Sequence, residues 1–357
     1  MDVLFAVFGN EERGSTRYRV LNIIPYLEEA GMNCDVLSLV EPDDIGGPWP
    51  IRKGIFGARL SEFAVRLLTK APQYDVVYLQ KIPPTASYIK LLTMIATNVV
   101  YDFDDALYTS KPWEDSDETK WKDNLDATLG TVSMVVTGSP TLTDYADQFN
   151  DETRTMPTPM PRWPYQKKRQ EYADKDTGDG VVLGWIGYPE NLWYIEPMAD
   201  AIADVLDEYD DAELHIITAG DLPVAPLADR DDVRYREWSL DKQIDYPAQA
   251  DIGIRPLSDD PWTRSKNFAS VNQFMALGKP VVVTPVGMLN ENVAHGRSGF
   301  YATTEDEWRE YLGQLIEEPD LREEMGNRAL QAVEENNFWL DQRGRDMIEA
   351  LEDVVET

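Results

Sequence analysis

Hydrophobic and polar positions alternate along this chain between two periods. Short apolar runs stand at 3–8, 34–39, 74–80, 99–105, 132–136, 181–186, 213–218, 233–237, 252–254 and 281–283. Runs such as 3–8, 132–136, 181–186 and 281–283 lack the one-in-two polar rhythm of a half-exposed strand, so they predict strands buried on both faces. Between them, apolar residues recur every three or four positions over 16–30, 51–70, 86–96, 140–149, 193–209, 241–250 and a run ending at Ala276. That spacing predicts amphipathic helices. Strand followed by helix, repeated, predicts an α/β fold with parallel sheets, whose loops gather ligands at the carboxyl ends of the strands. From Thr304 onward the pattern is helical alone, over 305–317, 319–336 and from 338 to the end.

Punctuation divides the pattern in two. Residues 154–164 are dense in proline and predict neither helix nor central strand. They set a boundary: a first domain over 1–160, a linker over 161–180 and a second domain over 181–337. The length, 357 residues, suits two domains better than one. Ser139 stands where it would cap the helix 140–149.

Composition narrows the setting. Cys34 is the single cysteine, which rules out a disulfide within the chain and fits a reducing cytoplasm. The opening residues MDVLFAVFG carry no basic flank and read as a first buried strand, not a signal peptide. No apolar run approaches the ~20 residues that span a bilayer. The net charge is −32, from 65 acidic and 33 basic residues. Such a field opposes nucleic acid as a partner. It also resembles the composition of proteins from salt-accumulating microbes, haloarchaea among them, and predicts stability that rises in molar KCl, where the screening length shrinks to ~3 Å.

One segment runs against that field. Over 51–70, Arg52, Lys53, Arg59, Arg66 and Lys70 stand against Glu62 alone, with Phe56, Leu60, Phe63, Leu67 and Leu68 at helical spacing. This is either a core-facing helix with a solvated face or a peripheral contact with a membrane surface or phosphate-bearing lipid.

Candidate chemistry concentrates between Asp251 and Phe300. A short strand ends in a turn-rich acidic loop, and Arg264 and Lys266 follow just ahead of a helix. Two cations beside a helix N-terminus make a phosphate site. A second apolar strand then runs into a proline–glycine turn and a short helix containing Glu291. Earlier in the chain, the strand 99–105 ends VVYDFDD, with Asp104 and Asp105 adjacent. Such carboxylates can cap a helix or hold a divalent cation. The loop Gly184-Trp185-Ile186-Gly187 lacks the third glycine of the dinucleotide fingerprint, which argues against a dehydrogenase. His215 and His295 are the only histidines; the first reads as structural and the second as a cap at a helix end.

These residues resemble a known family. Asp259, Asp260, Pro261, Trp262, Arg264 and Lys266 reproduce a DDPW-x-R-x-K pattern, and Gln273, Phe274 and Met275 open QFMALGKPVV. The stretch is similar to the donor-binding segment of GT-B glycosyltransferases of family 4, in a branch that also carries DFDDA. The resemblance implies two Rossmann-like, doubly wound parallel-sheet domains facing a central cleft, with the last helix 338–357 returning to the first domain. It implies a retaining transfer from a nucleotide sugar to a glycan or lipid-linked glycan precursor, in the cytoplasm or at the inner membrane face, without a cofactor or catalytic metal.

On that resemblance, Arg264 and Lys266 serve the leaving diphosphate, and Asp104 or Asp105 contacts a sugar or acceptor, Asp104 standing nearest a position other members give to histidine. Gly187, Tyr188, Asp260, Ser265, Gln273 and Glu291 line the donor, and Ser15, Arg17 and Arg19 face the cleft or are solvated turn residues. Two departures matter. Many members carry two glutamates where this chain has Ser265 and Gln273, and a branch lysine is replaced by Ser270. They leave open a second class: a GT-B protein that binds a nucleotide sugar or a partner without transferring anything.

Overall fold

The computed structural model describes all residues except 41–47, 82, 115–120, 174–179, 221–223 and 357. The chain divides into two compact units: Met1–Pro159 with Ser265–Asn267 and Leu340–Thr357, and Met160–Arg264 with Phe268–Trp339.

The first unit is built on a six-stranded parallel sheet. Its strands are β1 (Asp2–Phe8), β2 (Asn33–Leu39), β3 (Val76–Gln80), β4 (Asn98–Phe103), β5 (Met134–Thr137) and β6 (Thr153–Thr155), ordered β2-β1-β3-β4-β5-β6. Strands β3 and β5 are buried at every position, which explains their unbroken apolar runs. The final helix Leu340–Glu356 completes this unit. Met347, Leu351 and Val354 join Val20, Leu27 and Met134 in its core, and Gly344 lies so close to Tyr26 that a Cβ would stand 2.8 Å from its ring.

The second unit repeats the plan with β7 (Val181–Ile186), β8 (Ala212–Thr218), β9 (Val233–Glu237), β10 (Ile252–Arg255), β11 (Val281–Val283) and β12 (Gly299–Tyr301). Their order, β12-β11-β10-β7-β8-β9, reverses direction between β10 and β7. In the first sheet the reversal lies between β1 and β3. Such switch points are where open α/β sheets place ligands. One face of the second sheet packs Trp185, Leu214 and Trp308, the other Phe274, Met275 and Trp339.

Several predicted elements change in detail. The helix expected over 16–30 is broken into Gly14–Thr16, a wide π-type turn Arg17–Leu21 and Ile24–Glu29, with Pro25 opening the last piece. The helix expected from 193 starts only at Ala199, because Pro189 and Pro197 favour short 3₁₀ turns before it. That expected over 241–250 contracts to Asp245–Ala248. Residues 162–173 were assigned to the proline-dense boundary and the linker, yet Arg162–Ala173 is a helix of the second unit. Pro164 falls in its first turn, where no intrahelical N–H is needed. Residues 174–179 of the expected linker lie outside the described residues.

Candidate functional site

The carboxyl end of β4 gathers the first unit's charges. Asp102, the last residue but one of that strand, is buried and takes Arg19 Nε on both carboxylate oxygens, at 3.1 and 3.0 Å. Arg19 Nη1 also donates to Met156 O at 2.7 Å. Burial works against the guanidinium charge, but the attraction of Asp102 outweighs it and holds Arg19 above its ordinary range. Burial wins at the carboxyl of Asp102, which sits above its usual value despite Arg19. Arg19 was expected to face a cleft or to be a solvated turn residue; it is buried in this unit. Arg17 is also buried, donating to Glu11 O at 2.5 Å with its guanidinium 4.5 Å from the Tyr18 ring centre.

Beyond the strand end, two carboxylates meet two lysines. Asp105 Oδ2 lies 3.1 Å from Lys81 Nζ and its Oδ1 lies 3.6 Å from Lys266 Nζ. Asp104 Oδ1 is 4.0 Å from Lys81, and its Oδ2 accepts the hydroxyl of Ser15. Lys81 Nζ is itself 3.4 Å from Ser15 Oγ. Burial opposes ionisation of Asp105, yet Lys81 and Lys266 outweigh it and hold the carboxyl below its ordinary value. Ser15 follows β1 and Lys81 follows β3, so the cluster sits at this sheet's switch point. Among the described residues no group of three or more His, Cys, Asp or Glu could hold a metal ion.

Lys266 reaches this cluster because the tripeptide Ser265–Asn267 is anchored to the first unit. Ser139 caps its helix, accepting from Leu142 N, and the same hydroxyl donates to Ser265 O at 2.6 Å. Asn267 Nδ2 donates to Gly138 O at 3.4 Å. Ser265 is fully buried.

The remaining predicted residues occupy separate places. Arg264 stays with the second unit, exposed, and binds Asp259 through Nε at 2.6 Å and Nη2 at 3.0 Å. Arg264 and Lys266 thus have different carboxylate partners. Asp260 caps the short helix Pro261–Arg264, accepting Thr263 N at 2.9 Å and Thr263 Oγ1 at 2.8 Å. Gln273 is buried in the helix Ala269–Ala276 with Oε1 unpartnered, while Glu291 and Tyr188 are exposed. Gly184 and Gly187 lie in close contact with other parts of the chain. Their missing side chains make room for protein: a Cβ would stand 2.6 Å from Ala250 at the first and 2.7 Å from Trp185 at the second. His295 caps no helix; its Nδ1 accepts Tyr301 N at 2.9 Å.

Three residues escaped the sequence reading. Lys81 has a left-handed backbone, φ +78, unusual for a side chain of its size, and such conformations cluster at functional sites. The signal was a lone lysine between a buried strand and two prolines. Asp102 was read only as one of three carboxylates. Arg255 ends β10, one residue past the predicted strand, and is buried. Its Nη1 donates to Ile186 O at 3.1 Å, its guanidinium lies 5.4 Å from the Trp185 ring centre, and burial lowers its pKa to about 10.

Comparison with known proteins places this geometry. Residues 180–318 match the family described as Glycosyl transferases group 1. A search of curated proteins found no match. Among solved structures, the HepE protein of Anabaena in complex with UDP and glucose is 17% identical, with a TM-score of 0.69 over 99% of this chain and 100% of its own. Sucrose-phosphate synthase of Thermosynechococcus elongatus is 12% identical, with a TM-score of 0.71 over 99% of both chains. The catalytic domain of starch synthase IV from Arabidopsis thaliana, bound to ADP and acarbose, is 12% identical, with a TM-score of 0.68 over 100% of this chain and 99% of that one. The chain has the fold of the GT-B glycosyltransferases, and its similarity to the Glycosyl transferases group 1 family lies over residues 180–318.

Proposed function

We propose that this protein is a retaining glycosyltransferase of family 4 that moves a sugar from a nucleotide donor to a glycan or lipid-linked glycan acceptor. The observation that carries the reading is the coincidence of a group 1 domain over 180–318 with a chain-long likeness to proteins solved with UDP or ADP. Breaking the bond to the diphosphate builds negative charge on the leaving group, which the enzyme must neutralise. Lys266 supplies that charge, and Asp105 and Lys81 position it. Asp104, held by Ser15, offers its carboxylate to a sugar or acceptor hydroxyl. Nucleoside diphosphate release over a panel of nucleotide sugars and acceptors, in high salt, tests this. Lys266→Ala is expected to lower turnover by about 10²–10³-fold with the fold intact; unchanged turnover would remove Lys266 from the reaction.

The pairing of Lys266 with Asp105 favours a second reading, a protein that binds a nucleotide sugar without transferring it. Binding of donor with no consumption across the same panel would select it.

The acceptor side has its own support. The 22-residue helix Trp49–Lys70 buries only Leu67, and Trp49, Ile51, Leu60 and Val65 are exposed among its cations. Among the described residues no helix is long and apolar enough to cross a membrane. We read this helix as a peripheral contact with an anionic membrane surface, where basic and apolar groups act together. Reversing Arg59 and Arg66 to glutamate is expected to abolish sedimentation with phosphatidylserine vesicles, and equal binding by the variant would end this reading.

A further inference from the structure

Arg255 is a buried cation whose neighbours, among the described residues, are a backbone carbonyl and two aromatic rings. It is 5% exposed, and among the described residues no carboxylate pairs with it, in a chain that carries 65 acidic residues. Its Nε is buried without a hydrogen-bond partner. Isolated buried charges are strongly unfavourable and are retained where a partner or a function supplies the missing interaction.

The path of the side chain shows where that interaction would come from. A Cβ on Gly253 would meet the Phe274 ring at 2.6 Å, so Arg255, two residues on, leaves β10 toward the same face. Its guanidinium nevertheless lies against Trp185 and 6.0 Å from the Tyr194 ring centre, and Trp185 belongs to the core on the opposite face. The side chain therefore crosses over the carboxyl end of β7, donating to Ile186 O on the way. Strands β10 and β7 are the pair at which the strand order reverses. Thr218 ends β8 on the other side of β7, one residue past the Ile186–Ile217 pair, and among the described residues its buried hydroxyl has no hydrogen-bond partner. A fixed cation thus stands at the switch point of the second sheet, with that hydroxyl at the end of the strand beyond β7.

We infer that Arg255 is the anion-binding residue of the second unit, its guanidinium taking a phosphate group of the ligand across the carboxyl edge of β7 and β10. In assigning that phosphate to a nucleoside diphosphate, the inference rests on the glycosyltransferase reading. A planar guanidinium suits a phosphate through paired N–H donors, which a lysine cannot reproduce.

The test is calorimetric titration of the full chain with UDP, ADP and inorganic pyrophosphate, alongside thermal unfolding without ligand. Arg255→Met is expected to weaken nucleoside diphosphate binding by about 10- to 100-fold, the worth of one or two charge-assisted hydrogen bonds. Its unliganded melting temperature should equal or exceed that of the natural protein, because a buried charge that faces no described carboxylate has been removed. Arg255→Lys should restore only part of the affinity. Binding unchanged in Arg255→Met, or a lower melting temperature with unchanged binding, overturns the inference and leaves the glycosyltransferase reading standing. Arg255-dependent pyrophosphate binding in a protein that transfers no sugar would do the reverse. Absence of binding by the natural protein to all three ligands would overturn both.

Discussion

The two sheets end differently at their switch points. In the first unit, Arg19 meets Asp102, and Lys81 and Lys266 meet Asp104 and Asp105, so cations and carboxylates match within the protein. In the second, Arg255 stands with a backbone carbonyl and two aromatic rings. The same parallel architecture therefore carries one edge where Arg19, Lys81 and Lys266 face carboxylates and one where, among the described residues, Arg255 faces none. The first kind of edge stabilises the fold and holds Lys266 in place. The second departs from what stability alone would select, and such departures in natural proteins concentrate where ligands bind.

The largest effect should come from breaking the buried pair. Asp102→Ala strips the buried Arg19 of its carboxylate partner, leaving the contacts with Met156 O and Thr158 Oγ1, and should lower stability by about 3–5 kcal/mol in denaturant unfolding. Replacing Arg19 and Asp102 together with apolar residues should recover much of that loss, since the desolvation of both charges disappears. Removing the cation of Arg255 should produce no comparable loss. If both single substitutions destabilise equally, the two edges are alike and the contrast fails.

Much of this fold could be read from the chain because both sheets are parallel and their inner strands buried, so those strands stand out as apolar runs between amphipathic helices. The two strands missed outright, β6 and β12, are three-residue edge strands whose pairing, not their composition, makes them strands. The candidate residues Asp104, Asp105, Arg264 and Lys266 were visible as motifs. Their partners were not. Lys81 joins Asp105 only because β3 and β4 are neighbours in the sheet, and strand order is invisible to local pattern. Ser265–Asn267 joins the first unit through Ser139, whose capping role was legible but whose second hydrogen bond was not. Arg255 was passed over because an apolar run ending in arginine and proline reads as a strand stopping one residue early.

The smallest effect sharpens the account of the satisfied edge through pH. Lys81 and Lys266 hold the Asp105 carboxyl below its ordinary value of 3.8 against the opposing effect of burial. A carboxyl depressed in the folded state adds stability that is fully present above the ordinary value and is lost as pH falls through the folded one. Asp102 has the opposite sign, since burial raises its carboxyl and its protonation on acidification favours the fold. Asp105→Asn should therefore lower stability at neutral pH by about 1–2 kcal/mol, since two ammonium groups then lack their shared carboxylate. Below the ordinary carboxylate value the gap between variant and natural protein should begin to narrow, and it should close only as pH falls through the depressed folded value, where both carry a neutral group. A gap that stays constant down to the acid limit would mean that Asp105 acts through packing and hydrogen bonding, with its charge contributing nothing to the edge. The measurement is chemical denaturation at a series of pH values in fixed high salt, which keeps the distant carboxylates screened while leaving contacts of 3.1 and 3.6 Å largely intact.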